Sequence, residues 1–309
     1  MPFPWNDSSI RADFISPRQI VVASDLTDTE ELLPHVAAQA KASNSAVTLV
    51  HVVTGSPIEQ PEDDLEEERY VQKLLGKMRG ALEREGVRCS VVVRKGTPAE
   101  VVGQEIANTR AGRLIIGAHS HGPCGPNMIG SVANALLLTA TVPVCVIGPE
   151  MRPSPAHASA RKILHPAQPS GYFRESACFA AEIARTCGAE LTLLHVMKPA
   201  SGTGPYAKVL EARARREFED FVWPPALRVR TVLQYGEPVE QVLHFAAVEN
   251  VDLIVMGICH DFPWWSMRNS HTYQVIAESG CPVLTFHRRL LAQASNRAGS
   301  HLTASLNAH

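Results

Sequence analysis

Arg113-Leu-Ile-Ile-Gly117-Ala-His-Ser120, followed after nine residues by Gly130-Ser131-Val132, is the stretch on which the fold turns, because it recurs. The second copy reads Asp252-Leu-Ile-Val-Met-Gly257-Ile-Cys-His260, then nine residues, then Ser270-His271. Gly257 minus Gly117 is 140, and so are Gly236 minus Gly96 and Pro238 minus Pro98, so one register holds over a long stretch. A repeat of that length is a duplicated domain, well above the period of a solenoid or propeller. The strands Gln19 to Ser24 and Ala46 to Val53 lack polar alternation, as strands of a parallel sheet covered by helices on both faces must.

Working outward, the first half alternates strands and helices. Gln19 to Ser24 is a β-branched apolar run, and a helical stretch with Val36, Ala37 and Ala40 follows Asp25. Next come the strand Ala46 to Val53, a charged helix from about Asp63 to Arg84 with Leu74, Leu75, Met78 and Leu82 on one side, the strand Cys89 to Val93 and the helix Pro98 to Asn108. The strand Leu114 to Gly117, the helix Ser131 to Leu138 and the strand Val142 to Ile147 complete it. After a linker rich in Pro, Ser and Ala, the order repeats from the strand Lys162 to His165 through the last strand, Val283 to Phe286. The pattern predicts an α/β fold: two tandem doubly wound domains, 18–148 and 161–287, each a parallel five-stranded sheet with helices on both faces.

Composition narrows the function classes. The chain has 309 residues and a formal charge of -2, with Lys+Arg 29 against Asp+Glu 31. That balance gives no electrostatic reason to expect nucleic acid or an acidic membrane as a partner. Seven cysteines without C-x-x-C spacing argue against a disulfide framework or a zinc site, and suggest free thiols in a reducing cytoplasm. Cys145, Cys178 and Cys281 fall in or beside apolar segments and read as structural, while Cys124 and Cys259 fall in loops and are the redox candidates. No apolar run approaches the roughly 20 residues of a membrane span.

In a doubly wound sheet, ligands sit beyond the carboxyl ends of the strands at the switch point, which directs attention to Asp25, Val52 and the loop from Gly117 to Ser131. Gly117 lets the backbone pass close to a ligand. Gly130 with Ser131 opens a helix whose free N–H groups suit phosphate oxygens. The acceptor-only carboxylate of Asp25 suits a ribose hydroxyl or an adenine amine. Each residue alone has a plainer role, Ser131 as an N-cap and Asp25 as the cap of the first helix. Together, at three strand ends, they point to a nucleotide.

Ile20-Val-Val-Ala-Ser-Asp25, Leu49-Val-His51-Val52, Gly96-x-Pro98, Leu114-Ile-Ile-Gly117, Gly130-Ser131-Val132 and Val142-Pro143-Val144 together resemble the universal stress protein family. The resemblance covers nearly the whole chain in two tandem copies. ATP-binding members carry G-x2-G-x9-G-[S/T]; here Gly117, Gly130 and Ser131 match, and Ser120 stands at the second glycine. The resemblance implies that Asp25 contacts the nucleoside, the Val52 backbone the adenine, and Gly117, Ser120, Gly130, Ser131 and Val132 the ribose and phosphates of ATP, with or without Mg. It implies a cytoplasmic stress-response protein in which an adenine nucleotide regulates the surface offered to an unidentified protein partner. It also implies an intramolecular pseudo-dimer seamed by Val142 to Ile147 and Val283 to Phe286, with a homodimer as a further state.

The second copy departs from the motif. Gln168 stands where Asp25 does, His260 and Ser270-His271 replace the later positions, and Trp264-Trp265 sits inside the loop. It is expected to be structural or partner-binding, so that at most one nucleotide binds per chain. Two other readings stay open: a nucleotide-independent protein-interaction module, and a slow ATP hydrolase in which a loosely held γ-phosphate meets water. No nucleophile, general base or metal-ligand set argues for turnover. His119 and His121 have no third ligand assigned, Cys259-His260 has no orienting partner, and Gly125-x4-Gly130-Ser131 lacks the lysine of a Walker A loop.

Overall fold

Strands whose residues are apolar on both faces belong in the middle of a sheet, and the computed structural model places them there. It describes residues 10–54, 61–118, 129–148, 151, 160–169, 173–198, 205–258, 270–287 and 289–290. After a short helix α1 (Ala12–Ile15) come β1 (Gln19–Ala23), α2 (Thr29–Ser43), β2 (Ala46–Val53), α3 (Pro61–Arg84), β3 (Cys89–Lys95), α4 (Pro98–Thr109), β4 (Arg113–Gly117), α5 (Ser131–Thr139) and β5 (Val144–Ile147). The second half runs β6 (Lys162–Pro166), α6 (Phe173–Cys187), β7 (Glu190–Met197), α7 (Pro205–Glu219), β8 (Val229–Tyr235), α8 (Pro238–Val248), β9 (Leu253–Ile258), α9 (His271–Glu278) and β10 (Val283–His287). Helix α9 is an addition to the sequence reading. Its eight residues, HTYQVIAE, are too short and mixed to show a period, yet Tyr273, Val275 and Ile276 are buried.

The chain divides into two compact units, Ser16–Ser159 and Met1–Ile15 with Ala160–His309. In the first, the strand order is β3-β2-β1-β4-β5 with parallel pairing, and in the second the equivalent order is β8-β7-β6-β9-β10, again parallel. The outermost β3 and β8 are partly exposed, whereas β4 and β10 are buried along their length. In each unit the order of connection reverses between the first and fourth strands, with all strands remaining parallel. Those carboxyl ends bound the crevice in which doubly wound proteins take ligands.

Local geometry repeats as well. Gly96 (φ 147) and Gly236 (φ 150) both precede a helix with Pro at its start, in a backbone region that a side chain strains. Helices α4 and α8 run into left-handed residues, Arg110 and Asn250, whose neighbours return hydrogen bonds to the last helical carbonyls. Thus the 140-residue register holds in backbone conformation.

The polar lead-in belongs with the second half. Phe14 is 1 % exposed, lies under the Arg11 guanidinium at 4.4 Å, and sits on α1, which packs against α6. One aromatic in a polar stretch is enough to anchor it, since burying a Phe yields about 1.5 to 3 kcal/mol. Among the described residues, no helix is long and apolar enough to cross a membrane.

Cys145 and Cys281 are buried, while Cys178 is half-buried; Cys124 and Cys259 lie outside the described residues. Burial pushes the Cys145 thiol above its ordinary range, opposed by the Gln39 amide at 3.1 Å and the charge of Arg113. Mass spectrometry after iodoacetamide treatment should find Cys145 and Cys281 unlabelled in native protein and labelled in urea. Rapid native labelling of either would contradict their packing.

Candidate functional site

The residues after β1 form a tight turn held by their own side chains. Leu26 is left-handed (φ 73), a conformation costing a non-glycine residue roughly 1 to 2 kcal/mol. Two hydrogen bonds hold it: Leu26 N–H donates to Ser24 Oγ at 2.9 Å, and Thr27 N–H donates to Asp25 Oδ1 at 2.9 Å. The Thr27 hydroxyl also donates to Asp25 Oδ1. Asp25 is therefore exposed, with one oxygen engaged in the turn and the other free to meet a ligand.

Asp28, not Asp25, is the N-cap residue of α2, yet its side chain makes no capping hydrogen bond. Instead the Ser24 hydroxyl donates to Asp28 Oδ1 at 2.8 Å, and Oδ2 is directed at Gly117. A Cβ placed on Gly117 would lie 1.9 Å from that oxygen, far inside van der Waals contact. Gly117 was expected to admit a ligand. What occupies the space beside it is the protein's own carboxylate. Burial pushes the Asp28 carboxyl above the ordinary range; the Ser24 hydrogen bond opposes the rise, and the charges of Asp25 and Glu31 add to it.

His51, on β2, ties the neighbouring strand to this turn: its Nδ1 donates to the Ser24 carbonyl at 2.9 Å. Val52 follows it, half-buried, two residues beyond Val50, the partner of Ala23 in the β1–β2 register. It therefore stands level with Asp25 across the strand ends. After β4, Ala118 N–H donates to Ile147 O at 2.7 Å, and Gly130 N–H donates to Ala118 O at 3.0 Å. The loop thus leaves and returns at one point, bringing Gly117 and Gly130 together. Ser120, His119 and His121 lie between, outside the described residues. Gly130 is the N-cap of α5 and offers no side chain; Ser131 and Val132, the first helical residues, are exposed.

At the corresponding place in the second unit, the described side chains bond to one another. Ser270 caps α9, its Oγ accepting from Tyr273 N–H at 3.2 Å, and the Thr272 hydroxyl donates to Gly257 O at 3.2 Å. His195 repeats the contact of His51, donating from Nδ1 to Ala167 O at 2.9 Å. Beside it Phe218 lies 6.2 Å from the imidazole ring and 5.2 Å from Phe173, so aromatic packing fills the end of β7. Gln168 is exposed, and His260, Trp264 and Trp265 lie outside the described residues.

The first unit therefore brings the acceptors Asp25 and Asp28 and the uncapped start of α5 together around the ends of β1 and β4. Such a set suits a ligand carrying both hydroxyls and an anion. Asp28 and Ser24 escape the sequence reading, which places the helix cap at Asp25, three residues before its observed position. The spacing Asp25-x2-Asp28 was the available signal.

Known proteins give the same picture of the fold. The chain matches the universal stress protein family over residues 17–148 and again over 160–287. It is similar to the crystal structure of a universal stress protein from Archaeoglobus fulgidus DSM 4304, with 18% identity and a TM-score of 0.70 over 89% of this chain and 97% of that one. A putative universal stress protein from Pseudomonas aeruginosa UCBPP-PA14 is similar at 16% identity and a TM-score of 0.60, over 91% and 98% of the two chains. No curated protein matches the sequence.

Proposed function

Because this chain belongs to the universal stress protein family, we propose that its first unit binds ATP or another adenine nucleotide as a regulatory ligand, and that its second unit binds none. Asp25 takes a hydroxyl or amine of the nucleoside and the Val52 backbone meets the adenine. Gly117, Ser120, Gly130, Ser131 and Val132 line the ribose and phosphate end, with Mg accompanying a polyphosphate. One observation carries this reading: α5 starts at Gly130 with no side chain on its first N–H groups, whereas α9 is capped by Ser270. Unpaired helix donors with a positive dipole end attract an anion, and donors already capped do so less. Occupancy alters the surface around Ser131 and Val132, which a protein partner in the cytoplasm reads during stress; the role is regulation and not turnover.

Calorimetry of the full chain with adenine nucleotides should return one site per chain. Asp25→Ala should weaken binding at least tenfold, the loss of one charged hydrogen bond, while Gln168→Ala leaves it unchanged. Two equivalent sites, or no binding of any adenine nucleotide, would overturn the reading.

A further inference from the structure

We propose that Ser24 is the positioning residue of the crevice: its hydroxyl holds the turn that sets Asp25 toward the nucleotide. The inference rests on the nucleotide reading above and names what keeps its carboxylate in place.

Ser24 is buried and engaged through every polar atom. Its N–H donates to Val50 O at 3.2 Å and its carbonyl accepts from His51 Nδ1 at 2.9 Å, which pins the residue to β2. Its hydroxyl donates to Asp28 Oδ1 at 2.8 Å. With that proton committed, the oxygen is left to accept, as it does from Leu26 N–H at 2.9 Å. Leu26 is left-handed (φ 73) without being glycine, so the turn around Asp25 depends on a local bond of this kind to persist.

The second copy supplies the comparison. Ala167 stands at the place of Ser24 on the same backbone contacts: its N–H donates to Leu194 O at 2.8 Å, and its carbonyl accepts from His195 Nδ1 at 2.9 Å. What differs lies in the turn. Alanine offers no hydroxyl, and Pro169, where Leu26 stands, has no N–H and a ring that holds φ negative. Acceptor, donor and left-handed residue are thus replaced together, along with the carboxylate, since Gln168 stands for Asp25. The histidine serves the strand ends in both copies. The hydroxyl stands only in the copy that carries Asp25, while the contacts joining the two strands persist without it.

The test is calorimetric titration of the full chain with AMP and with ATP and Mg, for the wild type, Ser24→Ala, Ser24→Thr, Asp25→Ala and the double variant Ser24→Ala/Asp25→Ala. Alanine is compatible with the backbone contacts, as Ala167 shows. Binding weakens by the fraction of molecules that hold Asp25 in place, so Ser24→Ala should bind about tenfold more weakly than the wild type, while Ser24→Thr, which keeps a hydroxyl, stays within about threefold. In the Asp25→Ala background, loss of the hydroxyl should change affinity by less than about twofold, because nothing is left to position. Wild-type affinity in Ser24→Ala overturns the role. An equal loss in both backgrounds overturns it too, because the hydroxyl would then act through Asp28 or touch the ligand itself. Either result leaves the nucleotide reading standing. If neither nucleotide binds the wild type, that reading fails and the role of Ser24 falls with it.

Discussion

Acidification from pH 7 to pH 4 should remove about 3 kcal/mol of the second unit's stability through one residue, His165. In β6, Ala167 N–H turns to β7, donating to Leu194 O at 2.8 Å, so Pro166, one residue earlier, faces β9 without an N–H to give. Described β6–β9 pairing ends at Leu164↔Ile254. His165 supplies a donor there, its Nδ1–H reaching Val255 O at 2.8 Å, while Nε2 lies 3.2 Å from Ser176 Oγ. A carbonyl can only accept, which assigns the proton to Nδ1; the one proton of the Ser176 hydroxyl is directed to the Phe173 carbonyl at 2.9 Å, with Nε2 the longer contact. The ring is 2 % exposed, and burial pushes its pKa down to about 4, against the smaller upward effect of the Val255 bond.

The sign follows from proton counting. Above the unfolded value of about 6.5 neither state binds the proton, and the neutral ring contributes fully. As pH falls from there to about 4, the unfolded chain gains a proton that the folded chain refuses, at a cost of about 1.4 kcal/mol per pH unit; below that value both states are protonated. The first half carries Val22 at the equivalent place in β1, so His165→Val is the reference variant. Urea unfolding of both proteins from pH 7.5 to 4 should show the wild type losing about 3 kcal/mol relative to the variant. A pH-independent difference would mean that His165 titrates normally in the fold.

Gly117→Ala should destabilise the first unit by about 1 to 3 kcal/mol, the cost of forcing a methyl into filled space. The obstacle is Asp28 Oδ2, 1.9 Å from where the methyl would stand, held by Ser24. Its removal is the control. In an Asp28→Ala background the same substitution should cost less than about 0.5 kcal/mol, and the difference is the coupling between the two residues. Denaturant unfolding of the four proteins measures it. An equal cost in both backgrounds would show that the glycine serves some other purpose.

These effects differ in how far they can be traced from sequence. The strands were legible because a buried parallel strand must be apolar on both faces, and runs such as Leu114 to Ile116 say so without their neighbours. The turns at Gly96 and Gly236 were legible as a repeated Gly-x-Pro, since a positive φ is a local steric demand. Helix α9 escaped because eight residues do not complete enough turns to show a period. Within the candidate site, Asp25, Val52, Gly117, Gly130 and Ser131 could be picked out because position after a strand is itself local information.

By itself the sequence determined that the chain is two copies of one α/β plan and that Gly117 and Gly130 of the motif stand in the first copy, with Ser120 at the second glycine. Only the tertiary structure decided that Asp28, and not Asp25, stands at the start of the helix and that its carboxylate turns to Gly117 on a strand far along the sequence. The same holds for the lead-in helix with Phe14, which docks on α6 of the later half, and for His165, which bonds to Val255. Backbone conformation and burial pattern are set by a residue and its near neighbours, so they are written locally. Which side chain fills the space beside a given glycine depends on strand pairing that joins distant segments, and it exists only once the sheet has formed.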